Sequence, residues 1–179
     1  MFKATHQQTK AYNARLVLKT IYDAGQISRA GVARLTHLTR VTVSEIVSEL
    51  IAAGLVAEVG PGPSTGGKIP ILLSVIVEAR QMISLDLAAD AFRGAVVNLR
   101  GQVRFAVSLP RQGKQGEQAV MLLYELVDRL LEAANQPLLG IGVGAPGVVD
   151  AASGTVLNAI HLDWHNLPLA SLLGERYHL

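Results

Sequence analysis

Between Thr39 and Ser48, in the stretch TRVTVSEIVS, one guanidinium and four hydroxyls fall within ten residues: Arg40 with Thr39, Thr42, Ser44 and Ser48. A planar guanidinium pairs with phosphate oxygens or with a guanine edge, and short hydroxyl side chains let a helix come close to base edges. Hydrogen bonding to a nucleic acid is the chemistry this spacing suits. Three other stretches imitate sites without completing them. GPSTGGK, Gly62 to Lys68, has the G-x-x-x-x-G-K spacing of a phosphate-binding loop, but Ile69 stands where the Mg²⁺-binding hydroxyl belongs and Pro70 follows where a helix must open. GVGAPG, Gly142 to Gly147, has the letters of a dinucleotide fingerprint, but Pro146 and the hairpin-like VVDAASGTV imply a turn in place of the required helix. His161 and His165 bracket Asp163 in HLDWH; a His-x-x-x-His pair chelates a metal from a helix, and this segment lacks helical periodicity. Surface or pocket-lining histidines are expected there, with no metal or cofactor bound. No nucleophile elbow or catalytic triad is recognisable.

The hydroxyl-rich stretch needs a frame to present it. Residues 11–24 place Leu16, Val17, Thr20, Ile21 and Ala24 on one helical face, and Gly25 ends that helix. Ser28 is a suitable N-cap for a short second helix, RAGVARL, with Val32 and Leu35 facing inward. Thr39 caps a third helix from Arg40 to about Ala53, stopped by Gly54. On it Val43, Ile46, Val47 and Leu50 form an apolar stripe, opposite Val41, Thr42, Ser44, Glu45 and Ser48. LVAEV and ILLSVIV then flank a Gly/Pro-rich tip, which reads as a β-hairpin. Three helices and a hairpin predict a winged helix-turn-helix, whose third helix would enter a major groove. A helical hairpin with a solvated Ser/Thr face is the alternative.

From Glu78 onward the pattern changes. MISLDLAAD, AFRGAVVNLRGQ and VRFAVSLP are three strand candidates, followed by the amphipathic helix GEQAVMLLYELVDRLLEAAN and a buried strand, PLLGIGVGAP. VVDAASGTVLN suggests a small hairpin and PLASLLGERYHL a final helix. The expected fold class is therefore α/β with two domains: a winged helix-turn-helix over 1–77 and, over 78–179, an incomplete actin-like ATPase (ribonuclease H-like) lobe.

Composition agrees with a core-forming protein: half of the 179 residues are apolar and 17% are charged. There is no cysteine, so a disulfide scaffold and a thiolate zinc site are excluded, and a reducing, cytoplasmic setting is expected. Neither a signal peptide nor a membrane span is evident. The net charge of +2 is uneven: residues 1–70 carry eight Lys/Arg against four Asp/Glu, and residues 71–179 carry eight against ten. The basic front suits a polyanionic partner.

Read as a whole, the chain from about Asn13 onward resembles the ROK family, which groups sugar-responsive repressors with sugar kinases. ISRAGVARLTHLTRVTVSEIVSELIAAGLVAE resembles its DNA-binding headpiece, STGGKIPILLSV its Gly-Gly-basic-Pro wing and linker, and GIGVGAPGVVDAASGTVLNAIHLDWHNLPL its first-lobe segment leading toward the sugar site. Several positions depart from that pattern. Where kinase members carry an Asp-x-Gly-Gly-Thr phosphate loop, this chain has Asp86-Leu87-Ala88-Ala89-Asp90, and Asp90 would repel a phosphate. His161-Leu162 replaces an Asn-Leu pair ahead of Trp164, Gly31 replaces an acidic capping-box partner of Ser28, and Glu45 stands where a basic residue is common. The family's catalytic Asn-Asp pair, zinc motif and second lobe would lie beyond Leu179.

The resemblance implies a sequence-specific transcriptional repressor of sugar-metabolism genes, not an enzyme, bound as a homodimer to a double-stranded DNA operator. Thr39 would cap the reading helix; Arg40, Thr42, Ser44 and Ser48 would face the groove; Ser28, Arg29 and Lys68 would meet the backbone. A sugar or sugar-phosphate effector would lie near Gly144, Gly147 and His161. An incomplete lobe is expected to expose an apolar edge and so to dimerise. Two rival readings stand beside this one: a sugar-binding or sugar-kinase-like protein, and a protein-association module without DNA binding.

Overall fold

The first helix begins where a hydrogen-bonding box allows it, upstream of where apolar periodicity becomes visible. In the computed structural model, which describes residues 5–63 and 69–179, α1 spans His6–Ala24. The Thr5 hydroxyl accepts from the Gln8 amide at 3.2 Å, and the Gln8 side chain accepts from the Thr5 amide at 2.8 Å. This reciprocal cap satisfies two of the donors that a helix start leaves open. It adds five residues to the helix expected from Ala11, because those first turns are polar and carry no core period. Val17 and Ile21 are fully buried, whereas Ala24, in the last turn, is exposed.

Tertiary contacts divide the chain at Val77/Glu78 into two units. In the first, β1 (Ile27–Ser28) leads into α2 (Arg29–Thr36), α3 (Arg40–Ala52), β2 (Val56–Pro61) and β3 (Ile71–Val75). β3 lies between β1 and β2, antiparallel to both. The hairpin expected from LVAEV and ILLSVIV is present, and Gly62 N–H donates to the Pro70 carbonyl at its neck (2.7 Å). The pairing of Ile27 and Ser28 with β3 was not anticipated, since a two-residue strand has no periodicity to read.

The Ser28 hydroxyl caps α2 by accepting from the Gly31 amide at 3.1 Å. Val32, Ala33 and Thr36 form the buried face of this short helix. Leu35, expected to face inward, is 64% exposed. A helix of eight residues offers one narrow stripe; centred on Val32, Ala33 and Thr36, it leaves Leu35 off its edge. On α3 the stripe Val43, Ile46, Val47 and Leu50 is buried as its spacing predicts, and Gly54, at φ +67°, supplies the left-handed residue that ends it. Val56, Leu73 and Val75 of the hairpin are buried as well.

The second unit holds a sheet of four strands: β4 (Gln81–Leu87), β5 (Ala91–Asn98), β6 (Val103–Pro110) and β7 (Leu138–Gly144), in the order β6-β5-β4-β7. β4, β5 and β6 form an antiparallel meander, and β7 returns parallel to β4 after the crossover helix α4 (Gly116–Ala133). α4 buries Ala119, Leu122, Leu123, Leu126, Val127 and Leu130, in one cluster with Ile83, Leu85, Phe92 and Val96. Gly94 makes room for this contact: a Cβ there would lie 2.5 Å from Leu130 Cδ1. The final strand of the sheet, expected to be buried, is an edge strand, partly open along its length, with Leu139 60% exposed.

Past it, β8 (Val148–Asp150), β9 (Thr155–Ala159) and β10 (Trp164–Leu167) form a small antiparallel sheet, and α5 (Leu169–Tyr177) closes the unit. A 3-10 turn, Ile160–Leu162, joins β9 to β10. Neither that turn nor β10 was legible in HLDWH. Trp164 anchors this region by donating from Nε1 to the Gly116 carbonyl at 3.0 Å and stacking obliquely on Phe92. Among the described residues no helix is long and apolar enough to cross a membrane.

α5 is tied to α4 through Tyr177, whose hydroxyl donates to Asp128 at 2.8 Å. Burial first, and then the Asp128 carboxylate, push this phenol from its ordinary value of 10 up to about 12. The fold thus favours the protonated phenol. The resulting stabilisation is complete below pH 10 and is lost as pH rises through 12. We expect Tyr177→Phe to remove that part of the alkaline loss of stability, measured as the difference in urea midpoints between pH 9 and pH 12.

Candidate functional site

The side chains singled out around α3 divide into those committed to the helix itself and those left free. Thr39 Oγ1 accepts from the Thr42 amide at 3.1 Å, and the two threonine hydroxyls lie 2.9 Å apart in a shared hydrogen bond. Both therefore serve the cap. Ser48 donates its hydroxyl back to the Ser44 carbonyl at 2.9 Å, the local bond that serines often make within a helix. Arg40 and Ser44 are exposed, and among the described residues neither side chain has a hydrogen-bonding or ion-pair partner. Glu45 is exposed too, while Glu49 pairs with Lys10 of α1 at 2.6 Å.

Ser28, Arg29 and Arg40 come together around one groove of about 440 Å³, completed by Ala30 and by Ile69, Pro70 and Ile71 at the start of β3. Two guanidiniums on one groove favour an anionic partner. Ser28 takes part mainly through its cap. Arg29 is half-buried and pairs with Glu58 of β2, Nη1 to Oε1, at 2.7 Å. This pair joins residues 29 positions apart, and no local pattern in the sequence marks it. Lys68, with Gly66 and Gly67, lies outside the described residues.

In the second unit, Gly144 ends β7 opposite Asp86 of β4. Gly147 has φ +91°, and a Cβ there would meet the Asn158 carbonyl oxygen at 2.0 Å. The backbone of the Gly147 turn thus lies directly on the end of β9, from which the chain runs on into the turn carrying His161. A strand, β8, follows GVGAPG where the dinucleotide fingerprint needs a helix. His161 is exposed, and its carbonyl accepts from Arg111 Nη1 at 2.8 Å and from Gln115 Nε2 at 3.4 Å. His165 Nε2 sits 3.5 Å from Asp163 Oδ1 on the surface. Among the described residues no group of three or more His, Cys, Asp or Glu side chains is placed to hold a metal.

Arg111 escaped the sequence reading. Its Nε donates to the Ala89 carbonyl at 2.6 Å and its Nη1 to the Lys114 carbonyl at 2.9 Å, as well as to His161, while its amide donates to the Asp90 carbonyl at 2.9 Å. One side chain thereby fastens the turn after β4 to the loop before α4 and to the His161 turn. Asp90 is not a bare anion: Arg93 grips both its oxygens, at 3.2 and 2.5 Å, and holds its carboxyl below the usual range.

These features define a class: a short helical unit with a cationic groove, followed by a four-stranded sheet with one parallel crossover and a small second sheet. A family model described as "ROK family" matches residues 82–179, more than half of the chain, and the chain belongs to that family. A xylose repressor from Caldicellulosiruptor bescii is 38% identical over 178 residues, covering 97% of this chain and 45% of the repressor. The crystal structure of a ROK family transcriptional regulator, a homolog of the E. coli MLC protein, shares the fold with a TM-score of 0.78 at 24% identity, over 96% of this chain and 44% of that one. A ROK family glucokinase from Streptomyces griseus, solved with glucose and AMPPNP, superposes on 55% of this chain and 31% of its own, with a TM-score of 0.50 at 25% identity. The chain spans about 45% of the length of curated relatives it matches.

The Arg29–Glu58 pair is partly exposed and contributes about 1 kcal/mol at most to stability, so Glu58→Gln is expected to fold normally while releasing Arg29. Its elution from a heparin column should move to higher salt, and by more than that of Glu132→Gln, which removes the same charge elsewhere. Adding Arg29→Gln should abolish the excess.

Proposed function

We propose that this chain is the DNA-binding part, with the beginning of the effector domain, of a ROK-type transcriptional repressor. The observation that carries the reading is the exposed start of α3, where the Arg40 and Ser44 side chains have no partner among the described residues while the opposite stripe is buried. In this reading residues 1–77 are a winged helix-turn-helix. α3 enters the major groove with its first turns at the base edges, and the β2–β3 hairpin is the wing. Arg40 reaches a guanine edge or a phosphate; Ser44 hydrogen-bonds a base; Arg29, Ser28 and Lys68 meet the backbone. Thr39 and Thr42 act through the cap that fixes the first turn, and Ser48 lies farther along the same face. The repressor names of relatives such as the Caldicellulosiruptor bescii protein support this reading.

Repression follows from occupying an operator, as a homodimer on two half-sites spaced by about one helical turn of DNA. Residues 78–179 form the beginning of an actin-like lobe, with a sugar-class effector near Gly144, Gly147 and His161. Phosphoryl transfer is not part of the proposal. Ala88 and Ala89 stand where the kinase pattern has glycines, and Arg111 ties the Ala89 carbonyl of this turn to the loop before α4 and to the His161 turn.

Selection from a pool of random duplexes tests the reading. A palindromic site should be enriched, and Arg40→Ala should weaken it by about 1–3 kcal/mol, with Ser44→Ala less affected. Affinity should fall steeply with added salt, by a slope set by the number of phosphates neutralised. If no duplex is enriched at low salt, the DNA-binding reading fails for this chain.

A further inference from the structure

Of the four hydroxyls along α3, three are already bonded within the helix. Discrimination among bases must then rest on the few outward groups that remain in its first turns: Arg40, Val41, Ser44 and Glu45. Val41 is the anomaly among them. It is 68% exposed, whereas the four aliphatic residues of the buried stripe are 9% exposed or less. It lies in the same row as Ser44 and Ser48, three and seven residues on, and so faces away from the core. Helix stability does not account for it, since a β-branched residue is a poorer helix former than alanine. Nor does solubility.

We infer that Val41 is a specificity-determining residue that packs against the C5-methyl group of a thymine; this rests on the DNA-binding reading above. In the major groove the thymine methyl is the apolar feature a base pair presents, and small aliphatic side chains are its partners. Valine has one strongly preferred rotamer in a helix, so its two methyl groups are held in place before contact and little freedom is lost on binding. Its neighbour Arg40 is free to engage an adjacent guanine or phosphate, which fixes the register of the first turn against the base pair that Val41 touches.

The test replaces each thymine of the enriched duplex, one at a time, by deoxyuridine, which lacks only that methyl group. Binding is measured with the wild-type protein and with Val41→Ala, a change at an exposed site that preserves the helix. At one thymine per half-site, deoxyuridine should weaken the wild-type protein about four-fold, the worth of one buried methyl group. At that position Val41→Ala, which keeps only the Cβ methyl, should show a clearly smaller penalty than the wild-type protein. A penalty of the same size in both proteins, or no penalty at any thymine, overturns the inference while leaving DNA binding intact. Failure to enrich any duplex with the wild-type protein removes the DNA reading itself, and this inference with it.

Discussion

Burial of Val43, Ile46, Val47 and Leu50 is the constraint from which the surface of the first unit follows. Each is worth roughly 2 kcal/mol when removed from water, so α3 has one rotational setting that satisfies all four. Once that setting is fixed, Arg40, Val41, Ser44, Glu45 and Ser48 are turned outward. The cap sharpens the geometry further. Because Thr39 ties down the amide and hydroxyl of Thr42, the first turn is held in one conformation, and the Arg40 side chain leaves it from a defined point.

Hydroxyl groups near a helix start serve two masters, and the structure separates them. A threonine or serine can stabilise the helix or meet a partner, and its type does not say which. Here Ser28, Thr39 and Thr42 are engaged in caps and Ser48 in a back-bond, which leaves Ser44 as the hydroxyl on α3 without a partner among the described residues. For the proposed repressor, recognition therefore concentrates on a short patch at the start of α3, with the Arg29–Glu58 pair beside it acting as an internal substitute for phosphate.

In the second unit a comparable substitution closes the turn after β4. The sequence there is Asp86-Leu87-Ala88-Ala89-Asp90, and Arg111 draws this turn onto the loop before α4 and the His161 turn through three carbonyls. A guanidinium whose Nε and Nη1 are committed to backbone oxygens makes a firm strut, and it connects the turn after β4, the loop before α4 and the turn carrying His161. Structural likeness to both a regulator and a glucokinase is consistent with one fold carrying different sites.

By itself the sequence determined α2, α3 and α4, the strand segments β2 to β7 and the helix ends at Ser28, Thr39 and Gly54, because these depend on neighbours three, four or two residues apart. Ser28, Thr39 and Gly54 were readable as helix ends, and Val43, Ile46, Val47 and Leu50 as a buried face, for that reason. Other features depended on tertiary structure. Leu35 lies outside the core because its short helix turns a different stripe inward. β7 is open because it is an edge, and β1 exists because β3 is beside it. Arg29 meets Glu58, and Arg111 meets His161 fifty residues away, through contacts that chain folding creates and that no local period encodes. Which polar groups are left free is likewise a property of the folded molecule, since a hydrogen bond is committed only when both partners are in place.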